Sequence, residues 1–450
     1  MLRFAVGVTA VVAALASCSG DTGPPSSPPA ERPAADEPVV GLTWAPPIGW
    51  GMQGGVLRRY DPRSLEPVSA ARLPLGKHGF SWAYSPDGTT IALGGFGGRI
   101  KLVDAERLRP LATTRLGRPR GLLVALTWVG EREILALVEN FSTQLLRAVL
   151  VNPVTGDVTG DRRFELDGSV RSVEVIHGEA LVALVAPVRV GPARVIVARA
   201  DGHASEIVLD ELSAGSSPPG PGASLGRQNL PGFAVDPKTE RAFVLSGEGP
   251  LAQVDLRSGR VEYHTPARPI SLLERLRRWL APEAQAKVPA GPVREAAWVG
   301  DGILAVSGST WLVREWRSRG LPFVDWDEKP AGLHLVDTMG WTIRTVDERA
   351  TRLAASDGIV LAFGGDDDAR HGMGVVAYTG QGEGLWHRFA GKTIFSASAH
   401  GGRAYVEVPG DRRRRTLVVL DLETGRIVAR RPSRGSLVVF VVPDAANRYG

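Results

Sequence analysis

The sequence predicts an all-β chain closed into a ring of small sheets, and three observations carry that prediction. Gly (54) and Pro (33) make up about 19% of the 450 residues, against roughly 12% in an average chain, so turn formers interrupt the chain too often for long helices. Hydrophobic residues make up 43% and charged residues 22%, which is enough apolar mass for a large core and excludes global disorder. The same order of short strands and turns then recurs along the chain at a spacing of about 40 to 50 residues.

The N-terminal segment is of another kind. A basic start, Met1–Arg3, precedes Phe4–Leu15, which is apolar and carries no charge. It is too short to cross a hydrocarbon core that needs about 20 residues, and fits the apolar region of a secretory signal. The segment ends Leu15-Ala16-Ser17-Cys18 and closely resembles the bacterial lipoprotein signal, in which a Leu and two small residues precede the lipidated Cys. That resemblance implies cleavage after residue 17, a diacylglycerol thioether on Cys18 and an added acyl (palmitate-type) chain at the new terminus. The other reading is an ordinary secretory signal with a chance cysteine. The position of the single cysteine in the chain favours lipidation and leaves no intrachain disulfide or multi-cysteine metal site. Ser19–Pro38 contains six prolines and almost no bulky apolar residue, which predicts an extended tether over residues 18–38.

From Val39 onward the repeat begins. Its clearest copy runs FSWAYSPDG, TIALGGFGG, RIKLVDAER, RPLATTRL from Phe80 to Leu116. Others span Gly232–Thr265 and Thr393–Arg431, and weaker ones start near Leu122, Val170, Val293 and Thr351. Each copy reads as four short strands separated by Gly, Asp or Asn turns. Four strands per unit at this period predict a β-propeller, in which each blade buries its faces against its neighbours. A sandwich is the alternative, but it does not require a tandem repeat. Seven copies are complete. Val39–Leu75 supplies three further strands and Ser436–Val442 (SLVVFVV) one, so the two chain ends are expected to share an eighth blade. Seven blades is the alternative count.

Two strings carry family resemblances. SPDGTTIALGG followed by IKLVDAERLRPL looks like the YVTN and WD40-like repeats of bacterial extracytoplasmic propellers. VVLDLETGRIV and VVAYTGQGEGLWHRF look like the PQQ-type repeat, shared by quinoprotein dehydrogenases and by the lipoprotein scaffold of outer-membrane protein assembly. These motifs specify blade geometry and transfer no catalytic residue.

Three insertions break the rhythm of the 39–450 body. Ser213–Ser224 reads as a flexible loop between blades. In residues 270–284 (ISLLERLRRWLAPEA), Leu272, Leu273, Leu276, Trp279 and Leu280 recur at helical spacing opposite a basic face. This predicts a helix that either caps a blade, the favoured reading, or lies in a membrane interface. Residues 309–332 lengthen a hairpin within one blade and carry Trp311, Arg314, Trp316, Arg317, Phe323 and Trp326. Aromatic and Arg residues anchor partner sites, while packing of the hairpin onto the propeller is the plainer alternative.

Inter-blade connections and second-to-third-strand hairpins share one face of a propeller. By this register that face receives His78, Arg118, Arg120, the Trp-rich hairpin, Arg370 and His371. The run Gly364–His371 offers acidic oxygens but lacks the spacing of a calcium loop. The eight histidines form no HxH or HxxxH pair, and no GxxxxGK[ST] motif is present. The net charge of +5 is mild, with all but six of the 53 basic residues Arg, as a GC-rich coding sequence would give. The sequence therefore points to a lipid-anchored protein on the extracytoplasmic face of a cell membrane. Its propeller is expected to bind or scaffold an envelope protein, polymer or small ligand, with no nucleic-acid partner. The alternative is a quinoprotein-like oxidoreductase or a hydrolase working at the channel mouth. No catalytic residue, metal or cofactor is predicted beyond the acyl chains on Cys18, with calcium and pyrroloquinoline quinone left open.

Overall fold

The computed structural model describes residues 39–43, 56–61, 65–67, 70–74, 78–117, 121–176, 178–216, 228–247, 249–265, 288–318, 321–364, 372–394, 396–410, 415–433 and 438–441. The signal, Cys18, the tether and the helix expected at 270–284 lie outside them. The described residues hold strands and turns, with no α-helix among them.

Among the described residues the strands assort into eight antiparallel sheets. From the inside outward, sheet I is His78–Tyr84, Thr90–Gly95, Arg99–Asp104 and Pro110–Arg115. Sheet II is Leu122–Val129, Glu133–Asn140, Leu145–Val151 and Val158–Glu165. Sheet III is Gly168–Ile176, Ala180–Pro187, Gly191–Arg199 and Ala204–Ser216, edged by Gln228–Asn229. Sheet IV is Gly232–Asp236, Arg241–Leu245, Leu251–Asp255 and Val261–His264. Sheet V is Val288–Gly300, Ile303–Ser318, Leu333–Asp337 and Thr342–Asp347, with Leu321–Pro330 paired to the far half of its second strand. Sheet VI is Arg352–Ser356, Ile359–Gly364, Gly374–Thr379 and Gly384–Arg388. Sheet VII is Ser396–His400, Arg403–Pro409, Arg415–Asp421 and Ile427–Ser433.

The last sheet joins the two ends of the chain. Val438–Val441 lies beside Val39–Thr43, followed by Val56–Tyr60 and Leu73–Pro74. Its register sets Val40 opposite Val441 and Thr43 opposite Val438, the closure expected from the apolar C-terminal strand.

Why these segments form sheets follows from where their side chains go. The second strand of sheet III, ALVALVAP, is buried at every position, because a sheet covered on both faces needs an unbroken apolar run. Outer strands are exposed, as in VTGDRRFE. Between the sheets, the buried residues form eight hydrophobic clusters, each shared by two consecutive sheets. Leu93 and Val103 of sheet I pack with Leu57 and Leu73 of the terminal sheet. Leu65, in the terminal sheet's outer turn, packs on Tyr405, Leu417 and Val419 of sheet VII. An open row of eight sheets would have one interface fewer than sheets, so this equality marks a closed ring. Arg431 of sheet VII reinforces that seam, with its guanidinium 4.9 Å from the Tyr60 ring centroid.

One turn recurs on the outer hairpins of the ring. In Asp61–Glu66, Asp104–Arg109, Asn152–Asp157, Asp255–Arg260 and Asp421–Arg426, the first residue's N–H donates to the sixth carbonyl and the fifth N–H to the first carbonyl. The fifth residue takes positive φ: Leu65, Leu108, Gly156, Gly259 or Gly425. The leading Asp or Asn side chain accepts backbone N–H groups two or three residues on, as at Asp104, Asn152, Asp255 and Asp421.

One expectation is corrected. Residues 213–216, expected in a flexible loop, continue the outer strand of sheet III, with Gly215 paired to Asn229. Burial explains it, since Leu212 and Ala214 are 1% and 0% exposed. A Cβ at Gly215 would lie 2.3 Å from the Pro187 carbonyl oxygen, so only glycine lets the backbones approach here.

Candidate functional site

The innermost strands of sheets I to VII touch in succession around the axis. Several are part-exposed at every position rather than alternately, as in residues 169–175, 293–300 and 352–355. A strand with one face in a core alternates. Uniform partial exposure belongs to strands flanked by sheets on both faces whose free edge borders the central channel.

Charged groups interrupt this lining in a recurring way. Glu139, near the end of the second strand of sheet II, is 2% exposed. Its Oε1 accepts the N–H of Val170, on the innermost strand of the next sheet, at 3.1 Å. Glu295 of sheet V accepts the N–H of Leu353, on the innermost strand of sheet VI, at 3.3 Å. An arginine stands next to each donor, Arg171 beside Val170 and Arg352 beside Leu353, and each opposes its glutamate's loss of charge.

Burial dominates the electrostatics. It pushes the Glu139 carboxyl up to about 7, held back by the Val170 hydrogen bond and Arg171. Glu174, three residues beyond Arg171 on the same strand, is pushed up to about 8 by burial. Burial also raises Glu295 and lowers Arg171, the latter resisted by Glu139.

Bulges set the aim of these side chains. The register passes from Leu123 to Ala125 in sheet II and from Val170 to Ser172 in sheet III, leaving Val124 and Arg171 as extra residues. A similar shift falls between His78 and Ser81 in sheet I. Bulges re-aim a side chain where pairing must yield, and Arg171 is left with a buried Nε that has no hydrogen-bond partner.

The predicted residues divide between two sectors of the wheel. His78 opens the innermost strand of sheet I, and residues 118–120 join sheets I and II. The hairpin belongs to sheet V, and residues 365–371 join two strands of sheet VI. Around an eight-sheet ring, sheets I and II face V and VI across the axis. By chain topology the strand ends flanking these segments lie on one face of the ring. Arg118, Arg120, Arg370 and His371 themselves lie outside the described residues. The hairpin forms a two-stranded ribbon whose register runs from Ser309 opposite Pro330 to Ser318 opposite Leu321. Trp311 stands opposite Glu328, Arg314 opposite Asp325, Trp316 opposite Phe323, Trp326 opposite Val313 and Arg317 opposite Pro322. At its base the innermost strand of sheet V also joins it, with Val288 opposite Val313.

Sequence reasoning missed Glu139, Arg171, Glu174, Glu295 and Arg352. Their one local signal is a charge inside an apolar strand, as in EILALVEN and SVRSVEV.

Elsewhere the polar groups serve structure. Glu240, in the turn after the innermost strand of sheet IV, binds Arg199 of sheet III at 2.8 Å and Arg257, and the two guanidinium groups hold its carboxyl below the usual range. His334 bridges Thr345 and the Ala331 carbonyl, His387 reaches the Met373 carbonyl, and His264 stacks on Trp341. Among the described residues no group of three or more His, Cys, Asp or Glu is placed to hold a metal ion.

No protein-family model matches the chain, and no curated protein does. Solved structures do. The chain is similar to the dihydro-heme d1 dehydrogenase NirN in complex with DHE, at a TM-score of 0.55 and 14% identity, covering 95% of this chain and 78% of that one. It is a β-propeller. Similarity extends to BamB from Moraxella catarrhalis, at a TM-score of 0.43 and 12% identity over 82% of this chain and 91% of that one. It extends also to the C-terminal WD40 domain of Sif2, at 0.44 and 14% over 84% and 91%. At such identities the likeness concerns the propeller fold alone.

Proposed function

We propose that this chain is an extracytoplasmic lipoprotein, held to the membrane through Cys18, whose propeller binds or scaffolds an envelope protein, polymer or small ligand. The observation that carries this reading is the departure from the repeat on one face. Sheets I, II and III close their second hairpins in short turns at 96–98, 141–144 and 188–190, whereas sheet V runs its second strand to Ser318 and returns through Leu321–Pro330. A ribbon of Trp, Phe and Arg residues that adds nothing to the repeat fits a partner site better than a blade. Replacing residues 311–328 by a two-residue turn in the full chain is expected to abolish co-purification of the partner from the native host while leaving the ring folded. An unchanged set of cross-linked proteins would remove the ribbon from the proposal.

A second reading, an enzyme at the channel mouth, draws on Glu139 and Glu174. Carboxyls raised to about 7 and about 8 are placed to exchange protons near neutrality. Metal and cofactor analysis of the detergent-extracted protein separates the two readings. A stoichiometric metal or quinone supports the enzyme, and a partner that depends on the ribbon supports the module.

A further inference from the structure

The topology of the terminal sheet fixes where the chain enters the wheel. Val56 pairs with Pro74, whose strand leads through 75–77 into His78 of sheet I, so Val56 lies on the face of the inter-blade connections and the ribbon. The antiparallel register sets Tyr60 at the other end, opposite Val39. Val441 lies beside Val40. The first and last described strands therefore begin and end together on the face of the short turns, away from the ribbon.

This geometry bears on the anchor. The proposed tether, Ser19–Pro38, holds twenty residues and spans roughly 60 Å at most in an extended Pro-rich form, with a root-mean-square reach of about 25 Å as a flexible coil. It joins the second strand from the axis. To turn the ribbon face to the lipid, it would have to pass two more strands, about 10 Å, and the side chains beyond them. It would then climb a wall of five to eight residues, about 17 to 26 Å at 3.3 Å per residue. That path consumes about half of the extended length and exceeds the coil's mean reach, at a cost in chain entropy.

We infer that in the anchored protein the short-turn face is turned to the bilayer and the ribbon face is held away from it, toward proteins of the aqueous envelope. The surface agrees. Three of the large apolar side chains that stand exposed among the described residues, Phe141 (50%), Val188 (56%) and Val190 (52%), sit on adjoining hairpins of the ribbon face. Leu166 and Asp167 tie these hairpins together, since Leu166 N–H donates to the Gln144 carbonyl and Val188 N–H to the Asp167 carbonyl. On a face held away from lipid, such a patch is a protein contact.

This inference rests on the lipoprotein reading, and its test separates the two. Cys18, acylated at sulfur, offers no thiol, so a single introduced cysteine can be labelled. Full-length lipidated Met339→Cys (short-turn face) and Val188→Cys (ribbon face) would each carry a donor dye in phosphatidylcholine–phosphatidylglycerol vesicles containing an acceptor-labelled lipid. Transfer to the lipid is expected to be several-fold stronger from position 339 than from position 188. Equal or reversed transfer overturns the orientation while leaving the anchor intact. Failure of the lipidated protein to float with vesicles, or flotation of a Cys18→Ala variant equal to that of the parent, removes the anchor and the orientation with it.

Discussion

On the short-turn face, five hairpins repeat one six-residue turn with the same two backbone hydrogen bonds and the same positive-φ fifth position. On the opposite face the described hairpins of sheets II, III and V differ from one another: Phe141–Gln144 closes tightly, 188–190 presents two exposed valines, and sheet V extends into the ribbon. Both faces are made by the same strands, so the fold alone does not explain the difference. Each short turn packs against a neighbouring sheet, and that packing restricts its sequence. Hairpins on the other face end in solvent and vary without cost to the ring. The largest departure from the repeat among the described hairpins, the ribbon, falls on that face.

The sharpest way to break this comparison is a substitution at Gly425. A Cβ there would lie 2.6 Å from the Trp386 indole, whose Nε1–H donates to the Leu422 carbonyl at 2.8 Å across the seam between sheets VI and VII. Gly425→Ala adds overpacking to the penalty of positive φ and is expected to cost about 3 kcal/mol, read from denaturant midpoints. A loss below about 1 kcal/mol would show that the turn yields, and that packing does not hold its sequence.

These turns were legible in the sequence for the same reason. Asp at the strand end and Gly four residues later are local requirements of hydrogen bonding and backbone sterics, so DLETG and DLRSG announce themselves. Ring closure was legible because SLVVFVV is an apolar strand with no neighbour in sequence. The channel acids were not, because Glu139 meets a donor 31 residues away, and its surroundings depend on a bulge at Arg171 that no local pattern marks. The extent of the outer strand of sheet III was missed because the packing of Leu212 and Ala214 overrides a Gly- and Ser-rich composition.

A second, smaller effect separates the axis from both faces. Glu139 and Glu174 have folded-state values raised from 4.5 to about 7 and about 8. Between about pH 4.5 and those values the folded protein holds protons that the unfolded chain releases. Stability therefore falls as pH rises through this window, by at most about 1.4 kcal/mol per unit and per group, and the loss is complete above about pH 8. Glu174→Gln removes one such group, so its stability relative to the parent is expected to improve by about 1–2 kcal/mol from pH 5 to pH 8, allowing for water in the channel. Parallel pH profiles would place Glu174 in bulk-like solvent and refute its burial.

Gly259 provides the control for Gly425. It occupies the same turn position with φ of +74, but a Cβ there meets only Ile207, at 3.8 Å. Gly259→Ala carries the backbone penalty alone and is expected to cost about 1 kcal/mol. The difference between the two alanine variants isolates the contribution of the Trp386 contact, because the turn itself is shared. If both variants lose equally, the seam adds nothing and the short-turn face is conserved in form by backbone geometry only.

The smallest effect belongs to the ribbon, and there a near-zero result is informative. The four-stranded part of sheet V is paired through Ile303–Val306 with Leu335, Val336, His334 and Asp337, short of residues 311–328. Replacing residues 311–328 by an Asn-Gly turn, with Thr310 and Lys329 as the closing pair, is therefore expected to change stability by less than about 0.5 kcal/mol, the usual range for surface changes away from core features. A loss of 2 kcal/mol or more in the melting or denaturant curve would mean that the aromatics pack onto the wheel and stabilise it, as the plainer reading of the sequence held. In that case the asymmetry of the two faces would have a structural cause, and the partner surface would have to be sought at the Phe141, Val188 and Val190 hairpins instead.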